Sequence, residues 1–440
     1  MESLSAADLG TAPFGRQAPV RQTSRSLFSQ VCNGALAAFE RLPRAGRRLD
    51  ITSLLSVAER QTGLNDFGDD RFLEPMTFLL ESIEGEAKLN ALGRFVFYQH
   101  AIQLLRNRLY LERDSQVDRR ISHRKIARPV FITGLPRTGT TLLHSLLAQD
   151  EDLFAAPLTW EVIYPSPGQG NARRRIQRTE QDLKWFDRLV PEFRPIHPVS
   201  AELPQECVAI MSHCFLSQEF DTMFDLPEYE LWLEEQDQRP VYEFHKQFLQ
   251  HLRPGSPERR FVLKAPAHLH SLDAIFAVYP DAQIVHTYRH PLKVIPSLAN
   301  LTFVLKSAFS PNVDPLETGP SVLQYCLRNL RRFFAGRDRL PANCCTDVAY
   351  TDLVRDPLSV VHEIYTYLGE QLTLEAESRM EKFLRENPQA KWGRHLYSAA
   401  TFGLDAPTIE DPFRFYTERF NLDSSPSEIS VEVTRFTAAR

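Results

Sequence analysis

The sequence predicts an α/β fold with a P-loop-like parallel sheet flanked by helices, together with an N-terminal helical region and a helical insertion. Short apolar runs rich in β-branched residues alternate with helical patterns, and this alternation is typical of a parallel sheet. The first run passes through a glycine-bounded loop directly into a helical pattern at residues 129–149. With 440 residues and 43% hydrophobic content, the chain can bury a large core.

The chain is expected to divide into a tail, a helical region, an α/β domain and a second tail. Residues 1–26 are polar and are expected to be poorly ordered, whereas residues 27–125 are predicted to form several helices. The α/β domain is predicted over residues 126–421, with a helical insertion at 171–253 and a C-terminal tail at 422–440. The predicted strands are 130–133, 261–263, 284–288 and 347–350.

Composition argues against several classes of partner. The formal net charge of −5 gives no broad polyanion-binding surface, so nucleic acid is not an expected partner. No apolar run reaches 18 residues, so no transmembrane helix is predicted. The N-terminus lacks the pattern of a signal peptide, and the six cysteines show no paired metal spacing. We therefore expect reduced cysteines and a cytoplasmic protein.

A short basic cluster lies inside the N-terminal helical region. It consists of Arg41, Arg44, Arg47 and Arg48. Such a cluster is compatible with a solvated loop or helix end, and also with contact to an anionic membrane surface. Peripheral membrane contact therefore stays open at this point, and so does the oligomeric state.

The loop GLPRTGTT at residues 134–141 has the features of an anion cradle. Unpaired N–H groups in the first turn of a helix, together with the helix dipole, hold a phosphate group. Gly134 and Gly139 have the spacing of the Walker loop, but Thr140 stands where that loop has lysine. The cation inside the loop is Arg137, whose guanidinium fork suits an oxyanion. Taken alone, the glycine pair is equally typical of a plain strand-to-helix turn.

Four sequence blocks in a fixed order resemble the sulfotransferases that use 3′-phosphoadenosine-5′-phosphosulfate (PAPS). The blocks read PRTGTT, LKAPAHL, YRHPLKVIPS and AYTDLVRDP. They are most similar to the bacterial-type branch and to the tyrosylprotein branch, which share PRxGTT where cytosolic sulfotransferases have PKxGTT. The resemblance spans residues 128–421 and implies PAPS as co-substrate and no metal ion.

The resemblance assigns the phosphate loop to the 5′-phosphate side of PAPS. Arg137 takes the place of the family's loop cation, which contacts the 5′-phosphate and the bridging oxygen. Hydroxyls and amides of Thr140 and Thr141 are expected at the same phosphate, and the cradle includes Gly134, Thr138 and Gly139. Lys264 matches the second family cation, which lies over the sulfuryl oxygens. Taken singly, a lysine or arginine at a strand end is also often solvated or paired with a carboxylate.

The nucleoside end is assigned to other blocks. Arg289 and Ser297 match the pair that grips the 3′-phosphate, and Tyr350 matches the tyrosine beside the adenine. Thr351 follows Tyr350 where the common pattern has Glu. The segment KWGRHLYS resembles a late basic loop that closes over the nucleotide, so Arg394 and His395 are expected cofactor or acceptor contacts.

Two residues are candidates for the general base that an attacking hydroxyl requires. Glu161 lies about one helical turn from the position of the catalytic Glu in the tyrosylprotein branch. His268 follows Lys264 by four residues and resembles the Lys-x-His of the cytosolic enzymes, whose spacing is two. Either residue is alternatively structural, Glu161 as a helix N-terminal carboxylate and His268 as a cap. His197 and Glu206 belong to the insertion and are expected on the acceptor side.

The predicted reaction is O-sulfation of a small, apolar alcohol, phenol or lipid acceptor. Aromatic residues of the insertion are candidates for an apolar acceptor pocket, although such stripes are more often core. They are Phe215, Phe220, Tyr229, Trp232, Tyr242, Phe244 and Phe248. Two rival functions remain open, a P-loop kinase or NTPase that needs Mg²⁺, and a nucleotide-binding scaffold without turnover.

Overall fold

A five-stranded parallel sheet forms the centre of the molecule. The computed structural model describes residues 26–40, 49–193, 199–252, 259–388 and 398–422. The strand order is β2-β3-β1-β4-β5, and neighbouring strands pair in parallel. The strands are β1 (Val130–Thr133), β2 (Phe154–Ala155), β3 (Arg260–Lys264), β4 (Gln283–Tyr288) and β5 (Cys345–Ala349). The predicted fold class is confirmed.

The strand predictions differ from the structure mainly at the ends. The first strand has the predicted bounds, whereas β3 and β4 extend beyond the predicted 261–263 and 284–288. β5 ends one residue before the predicted end, because Tyr350 already begins a helix. The two-residue strand β2 was not predicted, since so short a segment carries no periodicity. Every residue of β1 and β3 is buried, as expected for strands covered on both faces.

The N-terminal region is helical and shares a core with the rest of the chain. Its helices are α1 (Leu27–Glu40), α2 (Ile51–Thr62), α3 (Leu73–Gly85) and α4 (Ala91–Val117). The long α4 is capped at its N-terminus by Asn90, whose side chain accepts from the Gly93 amide. Ile102, Leu105 and Leu109 of this helix are buried in a cluster that also contains residues of the sheet and the insertion. Helices α2, α3 and α4 therefore pack as part of this hydrophobic core.

Helices surround the first two strands and fill the insertion. They are α5 (Thr140–Leu147), α6 (Thr159–Ile163), α7 (Ala172–Leu189), α8 (Cys207–Met211), α9 (Gln218–Met223), α10 (Pro227–Glu235) and α11 (Arg239–Leu252). The aromatic residues of the insertion belong to the core. Phe215, Phe220, Tyr229, Tyr242 and Phe248 are buried, while Trp232 and Phe244 are partly buried against the same cluster. These side chains therefore have the core role that the sequence left open, and an acceptor pocket at this place stays a prediction.

The C-terminal half completes the layer of helices. Its helices are α12 (Leu272–Val278), α13 (Pro291–Phe309), α14 (Pro315–Arg337), α15 (Tyr350–Arg355), α16 (Pro357–Leu368), α17 (Leu374–Glu386), α18 (Ala406–Glu410) and α19 (Arg414–Arg419). Among the described residues, α13 alone is long and apolar enough to cross a membrane, but 72% of that helix is buried in the protein. This burial is typical of a core helix.

Candidate active site

The chemically important residues lie beyond the carboxyl ends of the parallel strands. The pairing of Ile132 with Lys264 brings the last residue of β3 beside β1. Gly134 follows β1 directly, Arg289 follows β4, and Tyr350 follows β5. In open parallel sheets this edge is where ligands bind. Blocks that are far apart in the sequence are therefore brought to one place.

The loop between β1 and α5 requires glycine at both ends. Gly134 has φ +150°, and a Cβ there would lie 2.3 Å from the carbonyl oxygen of Thr287. Gly139 has φ +92°, and a Cβ there would lie 2.8 Å from Leu353. Between them, Arg137 adopts φ +73°, which is rare for a residue with a side chain. The loop thus holds a conformation that aims backbone N–H groups outward at the start of α5.

The three threonines of the loop have different environments. The Thr138 hydroxyl is buried and donates to the carbonyl of Leu135 at 2.6 Å. Its side chain therefore stabilises the loop from inside, and its amide is the group that could contact a ligand. Thr140 is also buried, whereas Thr141 is exposed at the first turn of α5.

Two arginines, a serine and a tyrosine form the arginine cluster, defined as Arg137, Arg289, Ser297 and Tyr350. Arg137 Nε donates to Ser297 Oγ at 3.2 Å, and the Arg289 guanidinium donates to the Arg137 carbonyl at 3.1 Å. The Arg289 guanidinium carbon lies 3.9 Å from the centroid of the Tyr350 ring, a cation–π distance. These contacts join the Arg137 side chain to Ser297, and the Arg289 side chain to the loop backbone and to Tyr350.

Arg289 is also fixed through its backbone. Its amide donates to the hydroxyl of Tyr416 at 3.2 Å, and that hydroxyl lies 3.3 Å from the carbonyl of Arg289. Tyr416 belongs to α19 and is fully buried. A residue 127 positions away along the chain therefore positions the arginine, and no local sequence motif indicates this.

The second group, called the lysine cluster, consists of Lys264, Glu206 and Thr141. The ammonium of Lys264 forms a short ion pair with the Glu206 carboxylate and donates to Thr141 Oγ1 at 3.3 Å. The Lys264 side chain is 2% exposed and that of Glu206 is 17% exposed. A buried lysine that faces a partly open carboxylate is a pair held away from bulk water, where charges interact strongly.

Glu206 reaches this position through the insertion. It precedes α8, and the segment before it forms an isolated bridge between Leu158 and Pro204. The Gln205 amide donates to the Pro157 carbonyl at 2.8 Å, which ties the same segment to the chain that follows β2. Sequence reasoning placed Glu206 only on the acceptor side, since 58 residues separate it from Lys264.

Comparison with known proteins agrees with this geometry. Residues 129–373 match the model of the sulfotransferase family, which is more than half of the chain.

The chain belongs to the sulfotransferase family.

Its relatives include two mycobacterial sulfotransferases of known structure. The crystal structure of sulfotransferase STF1 from Mycobacterium tuberculosis has 30% identity and a TM-score of 0.74, covering 83% of this chain and 98% of the other. Sulfotransferase STF9 from Mycobacterium avium has 26% identity and a TM-score of 0.74, covering 84% and 97%. Both likenesses extend beyond the α/β domain, since they cover most of this sulfotransferase.

Another relative is named for the molecule that it sulfates. The omega-hydroxy-beta-dihydromenaquinone-9 sulfotransferase Stf3 of Mycobacterium bovis is 27% identical over 271 residues, and the same holds for the protein of Mycobacterium tuberculosis. The match covers 57% of this sulfotransferase and 65% of the relative's length.

Among the described residues, Glu161 forms no hydrogen bond or ion pair with either cluster. Its carboxylate accepts from the Leu158 amide at 3.0 Å and caps α6, which is the structural role that the sequence left open. Burial raises the pKa of Glu161, with a smaller opposing effect from Arg175. Glu161, Trp160, Arg175 and His251 line a cavity of about 440 Å³ whose lining contains no member of either cluster.

His268 is a buried, neutral imidazole below the lysine cluster. Its Nδ1 lies 2.7 Å from the Tyr242 hydroxyl, and its ring packs edge-on against Phe131 with centroids 4.9 Å apart. Burial, aided by the neighbouring His245 and His270, lowers the pKa of His268 well below its usual range. Nε2 of His268 has no hydrogen-bond partner within the described residues.

Three site residues named from the sequence lie outside the described residues. These are Arg394 and His395 of the expected closing loop, and His197 of the insertion. The basic cluster within 41–48 lies outside them as well. All of these assignments stay predictions. Within the described ranges, no group of three or more His, Cys, Asp or Glu residues is arranged to hold a metal ion.

Proposed function

We propose that this sulfotransferase moves the sulfuryl group of PAPS to the hydroxyl of a small, apolar, lipid-like acceptor. The observation that carries the proposal is the pair of clusters at the ends of β3 and β4, the two strands that flank β1 and its loop. Arg137 lies within the phosphate loop and Lys264 donates to Thr141 at the end of that loop, so an anion bound there would be near both cations. Membership of the family supports the reaction class.

The donor fits the residues that surround the loop. In the proposal, backbone N–H groups from Arg137 to Thr141 and the guanidinium of Arg137 bind the 5′-phosphate, at the loop that begins with Gly134. Arg289 and Ser297 bind the 3′-phosphate, and Tyr350 lies beside the adenine. The bidentate geometry of arginine suits phosphate oxygens, and the cation–π contact with Tyr350 holds Arg289 ready for this task.

Lys264 is proposed to stabilise negative charge on the sulfuryl oxygens and the leaving oxygen. A lysine ammonium offers three N–H donors, and Glu206 and Thr141 accept two of them. The third donor is then available to a sulfuryl oxygen. Because the lysine is buried, its charge acts in a medium of low dielectric constant, where such stabilisation is strongest.

Glu206 is proposed as the general base in place of Glu161 and His268. It is the carboxylate in contact with Lys264, whereas Glu161 caps a helix and His268 is bonded to a tyrosine. The acceptor oxygen would attack sulfur as its proton moves to the Glu206 carboxylate. The bond between sulfur and the 5′-phosphate oxygen then breaks, giving a sulfate ester and adenosine 3′,5′-bisphosphate.

The apolar acceptor is proposed from the substrate for which a relative is named. Stf3 is named for the sulfation of a hydroxylated menaquinone, an apolar molecule with a terminal hydroxyl. The chain spans only 65% of that protein's length, so the comparison supports the class of acceptor rather than its identity.

Calorimetry with adenosine 3′,5′-bisphosphate tests the donor directly. We expect binding of the bisphosphate without a metal ion and no measurable binding of ATP with magnesium. A preference for ATP with magnesium would support the kinase alternative and refute the donor assignment. Transfer of labelled sulfate from PAPS to a panel of aliphatic and phenolic alcohols then tests the acceptor class, and activity only on charged acceptors would contradict it.

A further inference from the structure

The first helix carries no charged residue over positions 27–38, where the structure describes its side chains. Leu27 is 77% exposed and Val31 is 62% exposed, one turn apart on α1. Over the described side chains, 27–38, the exposed positions are Leu27, Gln30, Val31, Gly34, Ala35 and Ala38. Their spacing of three and four residues places them in one stripe. The single charged residue in α1 is Glu40, at its last position.

The stripe continues onto the basic helix α7. The Phe28 ring lies 5.3 Å from the ring of Trp185, and the Ser26 hydroxyl donates to the Arg188 carbonyl at 2.9 Å. Trp185 is itself 53% exposed. Single exposed apolar side chains are ordinary, but several on one face form a patch that indicates an interaction site. We call this patch, defined by Leu27, Val31 and Trp185, the α1–α7 face.

Positive charge borders the α1–α7 face. The sequence of α7 contains six basic and three acidic residues, although the whole chain has a net charge of −5. Two of the acids are engaged within the protein, Glu180 by the Ala201 amide and Asp182 by the Tyr164 hydroxyl. The exposed basic residues of this helix are Arg173, Arg174, Arg178, Lys184 and Arg188. An uncharged apolar stripe beside basic residues is the composition that binds anionic lipid surfaces.

We infer that the α1–α7 face docks on an anionic lipid bilayer. Leu27, Val31 and Trp185 would enter the headgroup region, where tryptophan is favoured, and the cations of α7 would lie against lipid phosphates. A second copy of the chain fits less well, because a two-fold contact through this face would oppose two basic helices. Residues 1–25 contain three arginines and two acids, so this segment supplies no compensating charge.

Vesicle sedimentation of the full chain tests this inference without any substrate. We expect binding to vesicles of phosphatidylglycerol and phosphatidylcholine in equal parts, weaker binding in high salt, and little binding to phosphatidylcholine alone. The double variant Leu27→Asp, Val31→Asp should lower the partition coefficient about tenfold. The matched control is Leu316→Asp, Leu374→Asp, since these leucines are 58% and 81% exposed on other helices. The control should bind as the unchanged chain does.

Tryptophan fluorescence gives a second readout that does not depend on changing α1. Anionic vesicles should shift the emission to shorter wavelength, and Trp185→Phe should remove that shift. The inference is overturned if the chain fails to bind anionic vesicles, or if both double variants bind equally. It is also overturned if light scattering shows a dimer that the α1 variant disrupts, or if only a chain lacking residues 1–25 binds. Because sulfuryl transfer is not measured, a negative result leaves the proposed function intact.

Discussion

The two clusters of the active site differ in how they are held. The arginine cluster is linked by a hydrogen bond to a serine, a backbone carbonyl and an aromatic ring, and it contains no carboxylate. The lysine cluster depends on an ion pair between a lysine that is 2% exposed and a carboxylate. Within the first cluster the cationic groups contact neutral partners, whereas the second couples a positive group to a negative one. This difference suggests that the first cluster binds and the second performs chemistry.

Removing the proposed general base should lower kcat more than any other change, and it tests the contrast between the two clusters. Glu206→Gln keeps the size of the side chain but cannot accept the proton, so kcat should fall by about 10²–10⁴. Binding of adenosine 3′,5′-bisphosphate should change little, as measured by calorimetry. The matched control is Glu219→Gln, a partly buried carboxylate of the same insertion that bonds to Ser212 and should keep its activity. A larger loss for Glu161→Gln than for Glu206→Gln would return the base assignment to Glu161.

Lys264→Ala should affect transfer more than binding. Loss of one preorganised donor in a buried site lowers kcat by about 10²–10³. The affinity for the bisphosphate product, which lacks the sulfuryl group, should stay within a few-fold of the original. Lys306→Ala is the control, because Lys306 is another buried lysine paired with a carboxylate, Asp225. If kcat and product affinity fell together, Lys264 would be a binding residue and the contrast between the clusters would fail.

Arg289→Ala should affect binding more than transfer. Hydrogen bonds to charged groups contribute about 1.5–3 kcal/mol, so the affinity for adenosine 3′,5′-bisphosphate should fall roughly tenfold to a hundredfold. The affinity for adenosine 5′-phosphate should hardly change, and calorimetry with both nucleotides measures the difference. Equal weakening of the two nucleotides would contradict the assignment of Arg289 to the 3′-phosphate.

Lowering the pH should destabilise the fold beneath the lysine cluster. His144 in α5 lies below it, with Nε2 3.1 Å from the Val262 carbonyl, and burial together with Lys264 lowers the pKa of His144 to about 3. Below the unfolded-state value near 6.5 the unfolded chain binds the proton and the folded chain does not, so stability falls as pH falls. At pH 5.5 this single group lowers the free energy of unfolding by about 1.4 kcal/mol.

Urea unfolding at pH 7.5 and 5.5 measures this contribution. His144→Gln can still donate a hydrogen bond to Val262 but cannot titrate, so the loss of unfolding free energy between the two pH values should shrink by about 1.4 kcal/mol. An unchanged difference would mean that His144 is not kept neutral by the fold. The arginine cluster rests instead on Tyr416, a buried tyrosine whose pKa is raised by burial, and it has no comparable titration near neutral pH.

The fold class followed from the sequence because its signals are local. β1 has the predicted bounds. Its residues are all buried, and the strand ends before Gly134, whose positive φ fits a tight turn. The ends of other strands were less certain. Tyr350 begins α15 rather than ending β5, because the Ala349 backbone leads directly into a helix and side-chain pattern alone cannot distinguish the two.

The sequence by itself determined the parts of the site that lie within single blocks. Arg137 lies in the loop after β1, Lys264 is the last residue of β3, and Arg289 directly follows β4. These positions follow from the amino-acid sequence because strand, loop and helix signals fix where each side chain emerges.

Only the tertiary structure decided which side chains meet. Glu206 contacts Lys264 across 58 residues, and Tyr416 holds Arg289 across 127. The same packing assigned Glu161 to a helix cap and buried the aromatic residues of the insertion in the core. The physical reason is that such contacts depend on how separate elements pack, whereas a sequence pattern reports only the residues within one element.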